Sequence, residues 1–132
     1  MTRPELKLVQ DDRAAHGEAN CRALGQILER IGDKWTILVV GALSSGPMRF
    51  NALQRAVPGV SHKMLTTTLR GLERDGLVKR TAFATIPPRV DYELTPQGIS
   101  LHEPLLALAD WARTQRPYIE AARANFDEQS NL

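Results

Sequence analysis

The sequence predicts a mainly α-helical fold with a small β-hairpin, an α+β domain. Three observations predict it. Apolar residues recur at helical spacing in several separated stretches, the period drops to two only over residues 77–94, and a Pro58-Gly59 turn joins a short helical stretch to a longer amphipathic one. The 132 residues are enough for one domain with a modest core. With 42% hydrophobic and 24% charged residues the composition is ordinary for a globular chain and argues against disorder.

Residues 1–19 are polar and mixed in charge, with Leu6, Leu8 and Val9 the notable apolar cluster. They read as an N-terminal arm or a short peripheral helix that can pack on a partner subunit. Asn20 is expected to cap the next helix, whose stripe is Cys21, Leu24, Ile27, Leu28 and Ile31. Gly32-Asp33 breaks it. Trp35, Ile37, Leu38, Val39, Val40, Ala42 and Leu43 are apolar on nearly every side, so this second helix is expected at the buried centre of the core. Ser44-Ser45-Gly46-Pro47 is a turn. Met48-Arg49-Phe50 reads as a short strand leading into a two-turn helix over residues 51–57, and Pro58-Gly59-Val60 turns the chain into the next helix.

That helix runs from Ser61 to Gly76. Ser61 is a good N-cap because its hydroxyl can accept a bond from a free first-turn amide. Gly76 is a good stop because glycine adopts the left-handed conformation without steric cost. Leu65, Leu69 and Leu72 form one narrow stripe, flanked by Ser61 and Thr68. The opposite face carries Lys63, Thr67, Arg70 and Arg74, with Thr66 at its margin. A rod of roughly 20 Å, at 1.5 Å per residue, suits one crossing of a DNA major groove. Thr66, Thr67 and Thr68 are three consecutive β-branched residues, mediocre helix formers whose hydroxyls and methyls can meet phosphates and base edges. A short helix, a turn with glycine, and a helix with a basic outer face is the helix-turn-helix arrangement.

Residues 77–84 and 90–94 then read as two strands, joined by Thr85-Ile86-Pro87-Pro88-Arg89, whose prolines stiffen the tip. A hairpin with a basic, rigid tip directly after such a helix is a wing, with Arg89 held out for the minor groove. Thr95 caps a further helix, with Pro96 at its first position. Leu101, Leu105, Leu108, Ala109 and Ala112 form its stripe, Leu106 and Trp111 lie beside it, and Pro104 is expected to kink it. Arg116-Pro117 is expected to start a last segment in which Tyr118, Ile119, Ala122 and Phe126 share a side. These helices carry more apolar surface than a small core uses, and a second subunit is the simplest cover for it. The predicted fold is thus a winged helix-turn-helix with extra N- and C-terminal dimerisation helices: an arm over 1–19, the DNA-binding domain with the start of the dimerisation helix over 20–112, and a C-terminal dimerisation segment over 113–132. The interface candidates are Leu6, Leu105, Leu108, Trp111, Tyr118, Ile119 and Phe126.

The net charge is only +2, but residues 46–90 hold eight Lys/Arg against two acids, while residues 91–132 hold three against seven. The positive field therefore sits on the middle of the chain. His16, His62 and His102 are scattered, with no metal-ligand spacing, no phosphate-cradling glycine loop and no nucleophile motif. The expectation is a protein that is not an enzyme, with no cofactor and no metal. No apolar run reads as a signal peptide or a bilayer span, and one cysteine makes no intrachain disulfide, so a cytoplasmic location without a membrane partner is expected.

Several ordered blocks carry a resemblance: Cys21; Ile31-Gly32-Asp33-Lys34-Trp35-Thr36-Ile37-Leu38; Met48-Arg49-Phe50-Asn51-Ala52-Leu53; Val57 to Leu65; Leu69 to Val78; and Pro87 to Thr95. Over about residues 20–112 the chain resembles the HxlR family of bacterial transcription regulators, winged-helix proteins of MarR-like architecture. The resemblance implies a homodimer joined through N- and C-terminal helices, bound to a partly palindromic operator near a promoter. Some members sense electrophiles, aldehydes, quinones or oxidants, often through a cysteine near the position of Cys21. Arg22 stands here where the family usually has proline, and Gly32-Asp33-Lys34-Trp35 replaces the usual Gly-Gly-Lys-Trp.

The functional expectation is a sequence-specific DNA-binding transcriptional regulator, with repression the expected mode and a small-molecule effector a further candidate partner. Ser61, His62, Lys63, Thr66, Thr67, Arg70, Arg74 and Arg89 are its candidate contacts to double-stranded DNA. The alternative is a winged-helix module for protein contact or RNA binding, without operator recognition. For Cys21 two readings stand side by side. It is a buried, inert thiol of a kind common in proteins, or a redox sensor at a helix start, where the helix dipole and Arg22 favour thiolate.

Overall fold

The computed structural model describes the backbone of residues 4–131 and the side chains of residues 17–131. In chain order the elements are α1 (Pro4–Ile31), α2 (Lys34–Leu43), β1 (Met48–Arg49), α3 (Phe50–Ala56), α4 (His62–Arg74), β2 (Val78–Phe83), β3 (Arg89–Leu94) and α5 (Pro96–Ser130). This is the expected mainly helical α+β fold, a winged helix-turn-helix.

The core forms where the stripes of α2, α3 and α4 meet the sheet. Val39, Leu43, Leu53, Val57, Val60, Leu65, Leu69, Leu72 and Val78 are buried together, and Trp35, Met48, Phe50, Leu77, Tyr92 and Leu94 pack around them. The second helix is central as expected, although Leu38 keeps 38% of its surface.

The boundaries are set by local chemistry. Asp33 ends the α1 region and caps α2, its carboxylate accepting from the Thr36 amide at 3.2 Å. Ser61 caps α4, its Oγ accepting from the Met64 amide at 3.1 Å. At the other end of α4, Gly76 takes φ 75°. Its amide donates to the Glu73 carbonyl and the Leu77 amide to the Leu72 carbonyl, closing a Schellman motif that places Leu77 back on the core. Thr95 caps α5 through Gly98, and its hydroxyl also donates to the Gly76 carbonyl at 2.6 Å, tying the start of α5 to the end of α4. Replacing Ser61 with Ala removes one cap and is expected to lower unfolding free energy by about 1 kcal/mol. Urea denaturation of the two proteins checks this.

The two wing strands pair antiparallel with Val78 opposite Leu94, Arg80 opposite Tyr92 and Phe83 opposite Arg89. A third strand joins them: β1 pairs with β3, Met48 opposite Tyr92, in the order β1-β3-β2. The sequence shows β1 as a strand but not its partner, because the pairing spans more than forty residues.

Two expectations are corrected. Asn20 caps nothing; it lies inside α1, and the break in that helix is at Gly17, with φ 71° and ψ −156°. Its stripe is only partly covered, since Ile27 and Leu28 are more than half exposed. The C-terminal region is one 35-residue helix, not two segments meeting at Pro117. Pro104 and Pro117 both face outward, and the carbonyls they leave unpaired, at Ser100 and Arg113, belong to exposed residues that water can satisfy.

Candidate nucleic-acid interface

The helix α4 is divided lengthwise by its own sequence. Leu65, Thr68, Leu69, Gly71 and Leu72 are buried. Ser61, His62, Lys63, Met64, Thr67, Arg70 and Arg74 are exposed, and Thr66 is half-buried at the margin. The two-turn helix α3 and the Pro58–Val60 turn hold its N-terminal end outward. The His62 ring packs on Phe50 of α3, with centroids 4.7 Å apart and planes tilted by 49°. Thr66 donates its hydroxyl to the His62 carbonyl at 2.8 Å, so that oxygen is left as an acceptor toward any ligand.

The ion pairs among the described residues are Arg30–Asp75, Arg89–Asp91, Arg113–Asp110 and Arg116–Glu120. They leave Lys63, Arg70, Arg74, Lys79 and Arg80 without a carboxylate. These cations and the hydroxyl of Thr67 form a surface able to meet phosphates and base edges. Seven of the expected contacts, Ser61 through Arg74, thus lie on or at the cap of one helix.

Arg89 is placed differently from its expectation. It opens β3 rather than occupying the loop tip, and it is half-buried. Its Nε and Nη2 donate to the two Asp91 oxygens at 3.2 and 3.0 Å, and its guanidinium stacks on Phe83 at 4.5 Å from the ring centroid. Residues two apart on a strand share a face, so strand alternation brings Arg89 beside Asp91. The tip itself presents Ile86, fully exposed. Lys79, Arg80 and Met64 are exposed residues that sequence reasoning did not assign. The Lys79-Arg80 pair was visible as charge, and strand alternation places Arg80 on the same face as buried Val78.

Cys21 is half-buried, one turn beyond the Gly17 break. It lines an open hollow of about 530 Å³ with Gly17, Glu18 and Arg22. Of the interface candidates, Leu105 is corrected: at 5% exposure it is already covered within the single chain. Leu108, Trp111, Tyr118 and Phe126 remain half or more exposed, and Ile119 is half-buried. The side chain of Leu6 lies outside the described residues.

Residues 30–120 match the model of the HxlR-like helix-turn-helix family. The chain belongs to the HxlR family. It is 41% identical over 98 residues to the HTH-type transcriptional regulator YtfH of Escherichia coli (strain K12), covering 74% of this chain and 78% of that protein. Among solved structures, the transcriptional regulator YtfH from Salmonella typhimurium superposes with a TM-score of 0.69 at 38% identity, over 75% of this chain and 88% of that one. The redox regulator HypR in its reduced form gives 0.68 at 34% identity, over 75% and 98%. This HxlR member is therefore a transcriptional regulator with a helix-turn-helix DNA-binding fold. No helix among the described residues is long and apolar enough to cross a membrane.

Proposed function

We propose that this protein binds a partly palindromic operator as a homodimer in the cytoplasm and represses transcription there. The observation that carries the proposal is the solvent-facing side of α4, where Thr67 is exposed and Lys63, Arg70 and Arg74 have no carboxylate partner among the described residues, opposite a fully buried leucine stripe. In this reading His62, Lys63 and Thr67, toward the N-terminal end, reach base edges, Arg70 reads or flanks them, and Arg74 meets phosphate. Thr66 accepts from a base amino group or a phosphate-bound water, and the Ser61 cap fixes the helix entry. Arg89, neutralised by Asp91, steadies the wing and reaches DNA only if that pair opens. Lys79 and Arg80 supply its charge.

The exposed Leu108, Trp111, Tyr118 and Phe126 on α5 support the homodimer, since an exposed row of large apolar side chains on a 35-residue helix costs solubility unless covered. Sedimentation is expected to show a dimer at micromolar concentration. Selection of duplexes by the protein from a random pool, followed by footprinting, is expected to give two half-sites about 34 Å apart, one DNA turn. Enrichment of RNA alone, or protection of a single half-site, counts against the proposal.

Cys21 is the proposed sensor. Its place beside a helix break and an open hollow supports this, as does the likeness to HypR, a redox regulator. With one cysteine per chain, oxidation ends in a sulfenic acid, an adduct with a small thiol, or a bond between two subunits. Each moves α1, and a small-molecule electrophile is the matching effector class. Diamide is expected to weaken binding to the selected duplex, with reversal by dithiothreitol, while Cys21→Ser protein stays indifferent. Equal affinities before and after oxidation of the unsubstituted protein return Cys21 to an inert role.

A further inference from the structure

Gly71 is the residue of α4 that its own helix does not explain. Glycine weakens a helix interior, and this one is buried between Leu69 and Leu72. A Cβ at this position would collide with Nη1 and Cζ of Arg30. The space left by the missing side chain is filled by that guanidinium. Arg30 stands in the last turn of α1, and its Nε–H donates to Oδ2 of Asp75, the C-cap of α4, at 2.9 Å. One planar group thus grips α4 at two points a turn apart. Among the described residues, no other side-chain hydrogen bond joins α1 to another element. A part-exposed ion pair contributes little to stability, so the contact matters through its geometry, which a rigid guanidinium fork can impose.

We propose that Arg30 is a positioning residue that sets the angle of the recognition helix against α1, so that a displacement of α1 reaches the DNA-reading face through it. This rests on the proposal that α4 reads DNA. Cys21 lies nine residues before Arg30, and exposed Ile27 and Leu28 lie between them on the same helix. Whatever chemistry or partner moves that helix moves the group seated on Gly71.

The test uses full-length wild-type, Arg30→Ala, Gly71→Ala and the double variant. The probes are the duplex that the wild-type protein selects from a random pool and a scrambled duplex of equal length. Each single substitution is expected to weaken binding to the selected duplex about tenfold, a typical size for such coupling, and to leave the scrambled duplex within about twofold. Gly71→Ala is expected to melt no lower than wild type, because alanine is the better helix former. The double variant is expected to bind as Arg30→Ala does, since the new methyl enters the space that the guanidinium has left. Additive losses, unchanged affinities, or equal losses on both duplexes would overturn the proposal. If the wild-type protein selects no duplex, the DNA-reading proposal fails instead. Spin labels at Arg22 and Glu73, in a Cys21→Ser background diluted with unlabelled protein, then decide on the contact itself. Their distance distribution is expected to broaden in both single variants, and an unchanged distribution overturns the role of Arg30.

Discussion

Leu69→Ala protein is expected to lose roughly 2–5 kcal/mol of unfolding free energy, the usual range for a fully buried leucine. Leu69 is 1% exposed and sits between Leu65 and Leu72 on the inner side of α4. Its neighbours in the core come from α2, α3 and β2, so no single element can shift to close the cavity. A domain of this size holds about 5–15 kcal/mol in total, so the loss is a large part of its stability. The melting temperature should fall by several degrees per kcal/mol, roughly 8–20 °C. Alanine in place of exposed Met64, earlier in the same helix, should cost far less. Thermal melts of the two variants check this, and similar losses at both positions contradict the assignment of the inner face.

Arg70→Ala is expected to leave stability nearly unchanged and to cost roughly 1–3 kcal/mol of specific DNA binding. Arg70 is exposed, and no carboxylate among the described residues lies within ion-pair distance. Its removal therefore strips no buried partner and breaks no pair in the free protein. If its guanidinium meets guanine bidentately, base preference should relax at one position per half-site. If it meets phosphate, affinity should fall alike on all sequences and the salt slope should shrink by about one. Quantitative selection on the two proteins separates these outcomes, and unchanged affinity for the selected duplex contradicts both.

The helix α4 was legible because everything that defines it is local. Ser61, the leucines at 65, 69 and 72, and Gly76 lie within sixteen residues, and each acts on its own turn. The hairpin was legible for the same reason. What escaped depended on residues far apart in the chain. Met48 meets Tyr92, and Arg30 meets Asp75 across forty-five positions, and neither partner leaves a mark in the other's window. Gly71 was the one available sign of the second contact, a glycine where a helix prefers alanine. The local rules themselves misplaced two features. Asn20 has the chemistry of a cap, yet Gly17 made the break, because only the glycine accepts the left-handed backbone there. Pro104 and Pro117 have the chemistry of helix breakers, yet a long helix with both rings outward absorbs them. Arg89 was assigned to the tip by its neighbours Pro87 and Pro88. Asp91, two residues on and on the same strand face, holds it back.

The central claim is that α4 reads DNA sequence rather than merely carrying positive charge. The measurement that tests it most directly is the affinity of the wild-type protein for its selected duplex and for a scrambled one, titrated over a range of salt concentrations. The predicted result is a ratio on the order of 10³ or more at physiological salt, with both affinities falling as salt rises. Equal affinities for the two duplexes at every salt concentration would contradict it.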